Sequence, residues 1–319
     1  MRVIDWLLEG DVVIQHLTNN NLLDCSFDHN NGGYIAEYLD LYDTARQEWG
    51  GSIYSGKWIS STYTLLELKY MDIHSDIPSY QNATKKVLNG LWNNHGKTSK
   101  TRYQDMCMSA MLLSLVCYGR IHDFRTNEIV DYILAHQMND GGWNCAWDSV
   151  HNRSAVGSVH TTISVLEALA DYIKYGYDYR LAEIGQQAAL GQEYLLRREL
   201  FKSLKTGEVI HPDMIGFHYP CRWKYDCFRA MEYFAHIGYP YDSRMLDALN
   251  LVKAALKKGY INRGKSYSGK IHLPLESGTK GRFNTYRGLL ILKHYDEEAY
   301  QEVNMRILHT NWRRKPNGV

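Results

Sequence analysis

One pattern recurs five times along the chain and limits what it can fold into. A small or polar start carries an aromatic residue or a histidine and then runs into a long apolar stretch. The five copies span residues 57–68, 104–113, 158–169, 222–231 and 282–290. Their markers Thr62, Asp105, His160, Tyr225 and Thr285 stand 43, 55, 65 and 60 residues apart. A period of that size denotes one supersecondary unit per copy. Between the copies lie amphipathic stretches at 82–92, 127–137, 181–196 and 243–256, with apolar residues three and four apart. The repeat-start helices are apolar nearly all round and so belong inside. The intervening helices keep a polar face and so belong outside.

Inner and outer helices that alternate in a ring give an all-α fold, an α/α toroid of about five to six hairpins, in one domain over residues 1–319. Only 6 prolines interrupt 319 residues, as long helices require. Gly50-Gly51, Gly141-Gly142, Gly176, Gly238, Gly278 and Gly281 mark the turns.

In such a ring the inner helices all begin at one end, and their starts converge on a funnel. Those starts hold Trp58, Asp105, Cys107, His160, Trp223, Tyr225, Asp226, Arg282 and Asn284. Capping accounts for Ser60, Ser61, Asp105 and Asn284, but not for the His, Arg, Trp and Tyr. The 25 Tyr and 8 Trp give either a core or a cavity its aromatic surface.

Charge excludes some classes. With 36 Lys+Arg against 35 Asp+Glu the net charge is +1, so neither bulk nucleic-acid binding nor a polybasic membrane anchor is expected. No apolar run reaches the roughly 18 residues of a membrane span. The start Met1-Arg2-Val3-Ile4-Asp5 lacks a signal-peptide pattern, and the 6 cysteines form no dense disulfide framework. A cytoplasmic protein with reduced thiols is expected. Walker, G-x-G-x-x-G, G-x-S-x-G and Cys-x-x-Cys motifs are absent.

Asp105, Cys107 and His160 are competent zinc ligands, and three protein ligands with one open position describe a catalytic zinc. Residues two apart face different sides of a helix, so Asp105 and Cys107 chelate only at a helix start. The bland alternative makes Asp105 a cap, Cys107 a small apolar core residue and His160 a hydrogen-bonding side chain in the funnel. The stretch 105–169 contains Asp105-Met106-Cys107, then Gln137, Gly141-Gly142-Trp143, His160-Thr161 and Ala168-Leu169. In that order these residues resemble the β subunits of the protein prenyltransferases. The Gln137…Gly141-Gly142-Trp143 run is similar to the QW repeat of squalene–hopene cyclases, which share the toroid. The segments around 57–65, 158–162 and 222–226 resemble bacterial squalene-cyclase-like repeat proteins.

The resemblance implies zinc at Asp105, Cys107 and His160. It also implies a thiol substrate activated by the metal and an apolar isoprenoid chain, with a diphosphate held by the basic stretch 97–102, above all Arg102. Met108 stands where that family has an aromatic residue, and those enzymes work with an α subunit. The cyclases' D-x-D-D acid is missing, since Asp24…Asp28 and Asp40…Asp43 do not reproduce it.

Other candidates complete the expected site. Arg222 or Lys224 would hold an anion at a helix start, and Trp223 and Tyr225 would face a carbocation or an apolar chain. The alternative is an Arg222–Asp226 pair at i, i+4. Asp226, Tyr225 and Asp148 are the catalytic candidates, with His151 beside Asp148 for acid–base chemistry. Trp58, Trp143, Trp223, Arg102, Arg222 and Arg282 are the substrate-binding candidates. Lys97, Lys100, Arg102, Arg222 and Arg282 would make a positive collar for a phosphate or diphosphate. Trp143 and Trp147 read better as staples between hairpins, with Gln137 bonded to the next repeat's backbone. The role of Glu276 is open, and Trp312–Pro316 reads as a solvated tail. Prenyl transfer or terpenoid cyclisation is the first functional expectation. A non-catalytic scaffold for an apolar ligand or peptide is the second. A carbohydrate-active toroid is the third, and facing carboxylates would favour it.

Overall fold

The computed structural model describes residues 1–150, 153–264, 267–276 and 278–308. His151 and the 312–316 tail lie outside the described residues. The chain is mostly helical. In order the helices are α1 (Val3–Leu8), α2 (Val12–Leu22), α3 (Tyr34–Asp40), α4 (Ser61–Tyr70), α5 (Pro78–Leu91), α6 (Met106–Tyr118) and α7 (Arg125–Ala135). There follow α8 (Val159–Lys174), α9 (Leu181–Leu196), α10 (Cys227–His236), α11 (Leu246–Leu256), α12 (Arg282–Tyr295) and α13 (Glu297–Met305). A two-residue antiparallel pair, β1 (Ile261–Asn262) with β2 (Lys280–Gly281), ties the end of α11 to the head of α12.

Each of the five repeated sequence segments opens a helix: α4, α6, α8, α10 and α12. Their burial matches their composition. Every residue of α6 except Cys107 is buried. By contrast α5 buries a stripe, Tyr80, Ala83, Thr84, Val87 and Leu88, and leaves its other face to water. The same holds for α11, with Ala248, Leu249, Val252 and Leu256.

Packing follows chain order. α4 lies on α6 and α6 on α8, while α10 lies on α12 and α12 on α2. The amphipathic helices α5, α7, α9, α11 and α13 each pack on their own buried partner. The first and last described residues meet, with the Val3 amide donating to Arg306 O (3.2 Å) and the Leu308 amide to Met1 O (2.8 Å).

The α7–α9 junction shows how one sequence motif joins two hairpins. Trp143 is fully buried and its indole N–H donates to Ile133 O (2.9 Å). The Gln137 amide donates to Gly141 O within its own loop and to Gln187 O of α9, both at 2.8 Å. Gly141 sits at φ +89°, a region that disfavours side chains. Gly191 of α9 lies so close to the Trp143 ring that an added Cβ would stand 2.7 Å from it. Trp143 is therefore a staple rather than a substrate contact.

Candidate functional site

The inner-helix starts do converge, but they are filled by side chains bonded to one another. Trp58 is 3% exposed, and its indole N–H donates to Ser268 O (2.9 Å). The Arg222 guanidinium lies 4.6 Å over the Trp58 ring and pairs with Glu67 of α4 at 2.9 Å. Glu67 also accepts from the Tyr38 hydroxyl (2.5 Å). Burial pushes the Glu67 carboxyl up, against the pull of Arg222.

The expected Arg222–Asp226 pair does not form. α10 begins only at Cys227, so the helical i, i+4 geometry is not available to residues 222–226. Asp226 instead accepts from the His218 amide (2.8 Å), His218 Nδ1 (3.0 Å) and the Arg229 amide (2.8 Å), capping α10. Burial alone would raise its pKa. The bonds from His218 and the charge of Arg287 outweigh this and hold it below the ordinary carboxylate value. Tyr225 is buried, and its hydroxyl donates to Leu200 O.

The segment 267–276 crosses these helix starts. The Lys270 amide donates to Lys57 O (3.1 Å), and the Trp58 amide donates to Lys270 O (2.6 Å). Tyr267 stacks on His218 with ring centroids 4.4 Å apart, and His272 bonds Ile59 O (2.9 Å). Trp223 is half-buried, with His160 edge-on at 5.5 Å. Its indole N–H is buried without a partner.

The basic collar is largely engaged. Arg102 pairs with Asp148 at 2.8 Å, and Asp148 also accepts from the Tyr103 amide (2.7 Å). Arg282 donates to Trp6 O (3.1 Å) and lies 4.7 Å over the Trp6 ring.

Asp105, Cys107 and His160 are not grouped with donor atoms all within 4.8 Å of one another. The half-exposed Asp105 carboxylate faces Arg102 at 3.7 Å and makes no capping bond. Cys107 interacts with Cys145, whose sulfur also accepts from the Cys107 amide (3.3 Å). That contact and burial push the Cys107 thiol well up, while the same contact holds the Cys145 thiol down. His160 Nδ1 accepts from the Tyr225 amide (2.8 Å), so its proton stays on Nε2. Burial, with Arg229 and Lys224 nearby, lowers the His160 pKa to about 4.

Among the described residues, the one group of three metal-competent side chains whose donor atoms all approach within 4.8 Å is Asp28, His29 and His74. There His29 Nε2 bonds Asp72 O and Nδ1 accepts from the Asn31 amide, both at 2.9 Å. Neither nitrogen is left for a cation.

The open space lies at the opposite ends of the same helices. A cavity of about 530 Å³ is framed by the C-terminal parts of α2, α4, α6, α8, α10 and α12. Tyrosines 70, 118, 175, 233 and 286 line it beside Asp72, Glu167, Asp171 and Glu232. Lys69, Lys174, His236, Lys293 and His294 also line it, together with the apolar side chains of Leu17, Ala170, Ala235 and Leu290.

Every carboxylate has a basic partner. Glu167 pairs with buried Arg229 (2.5 Å) and Glu232 with buried Arg287 (2.7 Å). Asp171 takes Lys69 and the Ser114 hydroxyl, both at 2.5 Å. Asp72 lies 3.0 Å from His16, which lowers its pKa. Lys174 Nζ stands 3.3 Å from His236 Nε2, and burial with that charge lowers the His236 pKa. Sequence reasoning missed this end. The signal was a glutamate inside a largely buried helix, Glu167 in α8 and Glu232 in α10.

No protein-family model matches this chain, and no curated protein matches it. Among the described residues no helix is long and apolar enough to cross a membrane.

Proposed function

We propose that this chain is an α/α toroid that holds a small polyhydroxylated, sugar-like molecule in the cavity at the C-terminal ends of its inner helices. The cavity wall is the observation that carries the reading. Four carboxylates fixed by basic partners accept hydrogen bonds from hydroxyls, while Lys174 and the tyrosine hydroxyls donate. Tyrosine faces pack against the C–H faces of a ring.

The toroid itself is supported by the chain-order packing, the meeting of the first and last described residues and the Gln137–Trp143 staple. Calorimetric titration with a panel of monosaccharides and disaccharides tests the reading. Saturable binding that weakens at least tenfold in Lys174→Met and His236→Ala is expected. No binding by any sugar, or binding that both variants retain in full, overturns it.

A second reading is an isoprenoid enzyme of prenyl transfer or terpenoid cyclisation, with zinc at Asp105, Cys107 and His160. It is favoured by the motif order from Asp105 to Leu169. Zinc near one per chain, lost in a Cys107→Ser/His160→Ala variant, together with binding of farnesyl diphosphate, would carry it over the first.

A further inference from the structure

We propose that Cys107 and Cys145 form a reversible disulfide that fastens the loop between α7 and α8 to the head of α6. The two residues are 38 positions apart, and the fold alone brings them together. Cys107 lies in the first turn of α6, a helix of 13 residues. Cys145 lies in the loop that carries Trp143, Trp147 and Asp148.

The surroundings of the Cys145 sulfur fit a nucleophile. The Cys107 amide donates to it (3.3 Å), and the Thr161 hydroxyl stands 3.5 Å away. Donors that converge on a sulfur at a helix N-terminus stabilise negative charge there. The second cysteine is already adjacent, its own amide on the Cys145 sulfur, as a resolving cysteine must be. Both cysteines are half-buried, whereas Cys117, Cys221 and Cys227 are buried. Cys25 is exposed, and its thiol bonds Leu23 O (3.3 Å).

The co-reactant is a peroxide. The Cys145 thiolate attacks one peroxide oxygen, the O–O bond breaks, and hydroxide leaves, giving the sulfenic acid. The Cys107 sulfur then attacks the Cys145 sulfur. The S–O bond breaks as the S–S bond forms, and the departing hydroxide takes up the Cys107 proton as water. Two thiols lose two electrons, and one hydrogen peroxide becomes two waters. A dithiol reductant reverses the change by thiol–disulfide exchange.

The test treats the full chain with hydrogen peroxide, blocks remaining thiols and maps peptides without reduction. A 107–145 linked peptide that dithiothreitol releases is expected from the unmodified sequence. In Cys107→Ser the Cys145 sulfenic acid should persist and be captured by dimedone. In Cys145→Ser, Cys107 should take up no dimedone. Free thiols at both 107 and 145 under conditions that oxidise Cys25 overturn the proposal, and this readout needs no variant to fold. Dimedone capture at Cys107 rather than Cys145 overturns the assigned roles.

Discussion

Glu276 places a proton of near-neutral pKa inside the fold, and Glu276→Gln measures it. The residue is 8% exposed and precedes α12. Its carboxylate accepts from the Asn284 amide (2.8 Å) and from the amides of Arg282 and Phe283. Gly281 lets the carboxylate in, since a Cβ there would stand 2.8 Å from Oε1. Burial pushes Glu276 from 4.5 up to about 7, more than those amides and Arg287 pull it down.

A pKa raised by folding means that the folded chain binds more protons between the two values. Its contribution is complete below 4.5 and is lost as pH rises through about 7. The difference of 7 − 4.5 = 2.5 units, at about 1.36 kcal/mol each, comes to about 3 kcal/mol. His160 works the other way. Its folded value of about 4 lies below the ordinary 6.5, so its contribution is lost as pH falls. The two slopes overlap and flatten the wild-type profile, which is why a variant is needed. Glutamine keeps an acceptor oxygen for the amides and cannot ionise. Urea unfolding of both proteins at pH 5 and pH 8 should show Glu276→Gln gaining about 2.5 kcal/mol on the wild type between the two. A relative gain below about 0.5 kcal/mol, or a relative loss, would refute the buried-carboxyl argument.

Three further outcomes follow from single contacts. Arg222→Met should cost about 3–5 kcal/mol in urea unfolding, because Glu67 is left buried and unpaired, and Glu67→Gln added to it should restore most of the loss. Gly191→Ala should cost about 1–3 kcal/mol, since the new methyl meets the Trp143 ring at 2.7 Å and Leu166 at 3.0 Å; an unchanged melting temperature would show that the α7–α9 junction yields. His160→Ala should cost about 1–2 kcal/mol at pH 7 by leaving the Tyr225 amide unsatisfied. The gap should narrow as the pH falls from 6.5 toward 4, where the wild-type imidazole begins to charge.

The helices were legible because their signal is local. A stretch such as 106–118 is apolar on every face, and only a buried helix tolerates that. The Gln137–Trp143 staple was legible for the same reason, its residues lying within one short loop. The site was not. Glu67 and Arg222 are 155 positions apart, and Asp226 finds His218 rather than Arg222 because the helix starts only at Cys227, beyond both members of that pair. Nothing in the order Asp105-Met106-Cys107 marks Cys145 as the partner of Cys107. The segment 267–276 carries no helical period, yet it crosses the helix starts that the repeat pattern left open.

The choice of end has a physical basis that the repeat also contains. The C-terminal turn of a helix carries partial negative charge and attracts cations. Lys69, Lys174, His236, Lys293 and His294 occupy the last turns of α4, α8, α10 and α12, so capping alone would explain their presence. Capping does not explain where they point. Lys69 reaches across to Asp171 of α8, and Lys174 to His236 of α10. Glu167 and Glu232 sit one to two turns back from their helix ends and draw buried arginines from the neighbouring helix. If the cations served only as caps, Lys174→Met would alter stability and leave sugar binding untouched; the cavity reading requires the reverse.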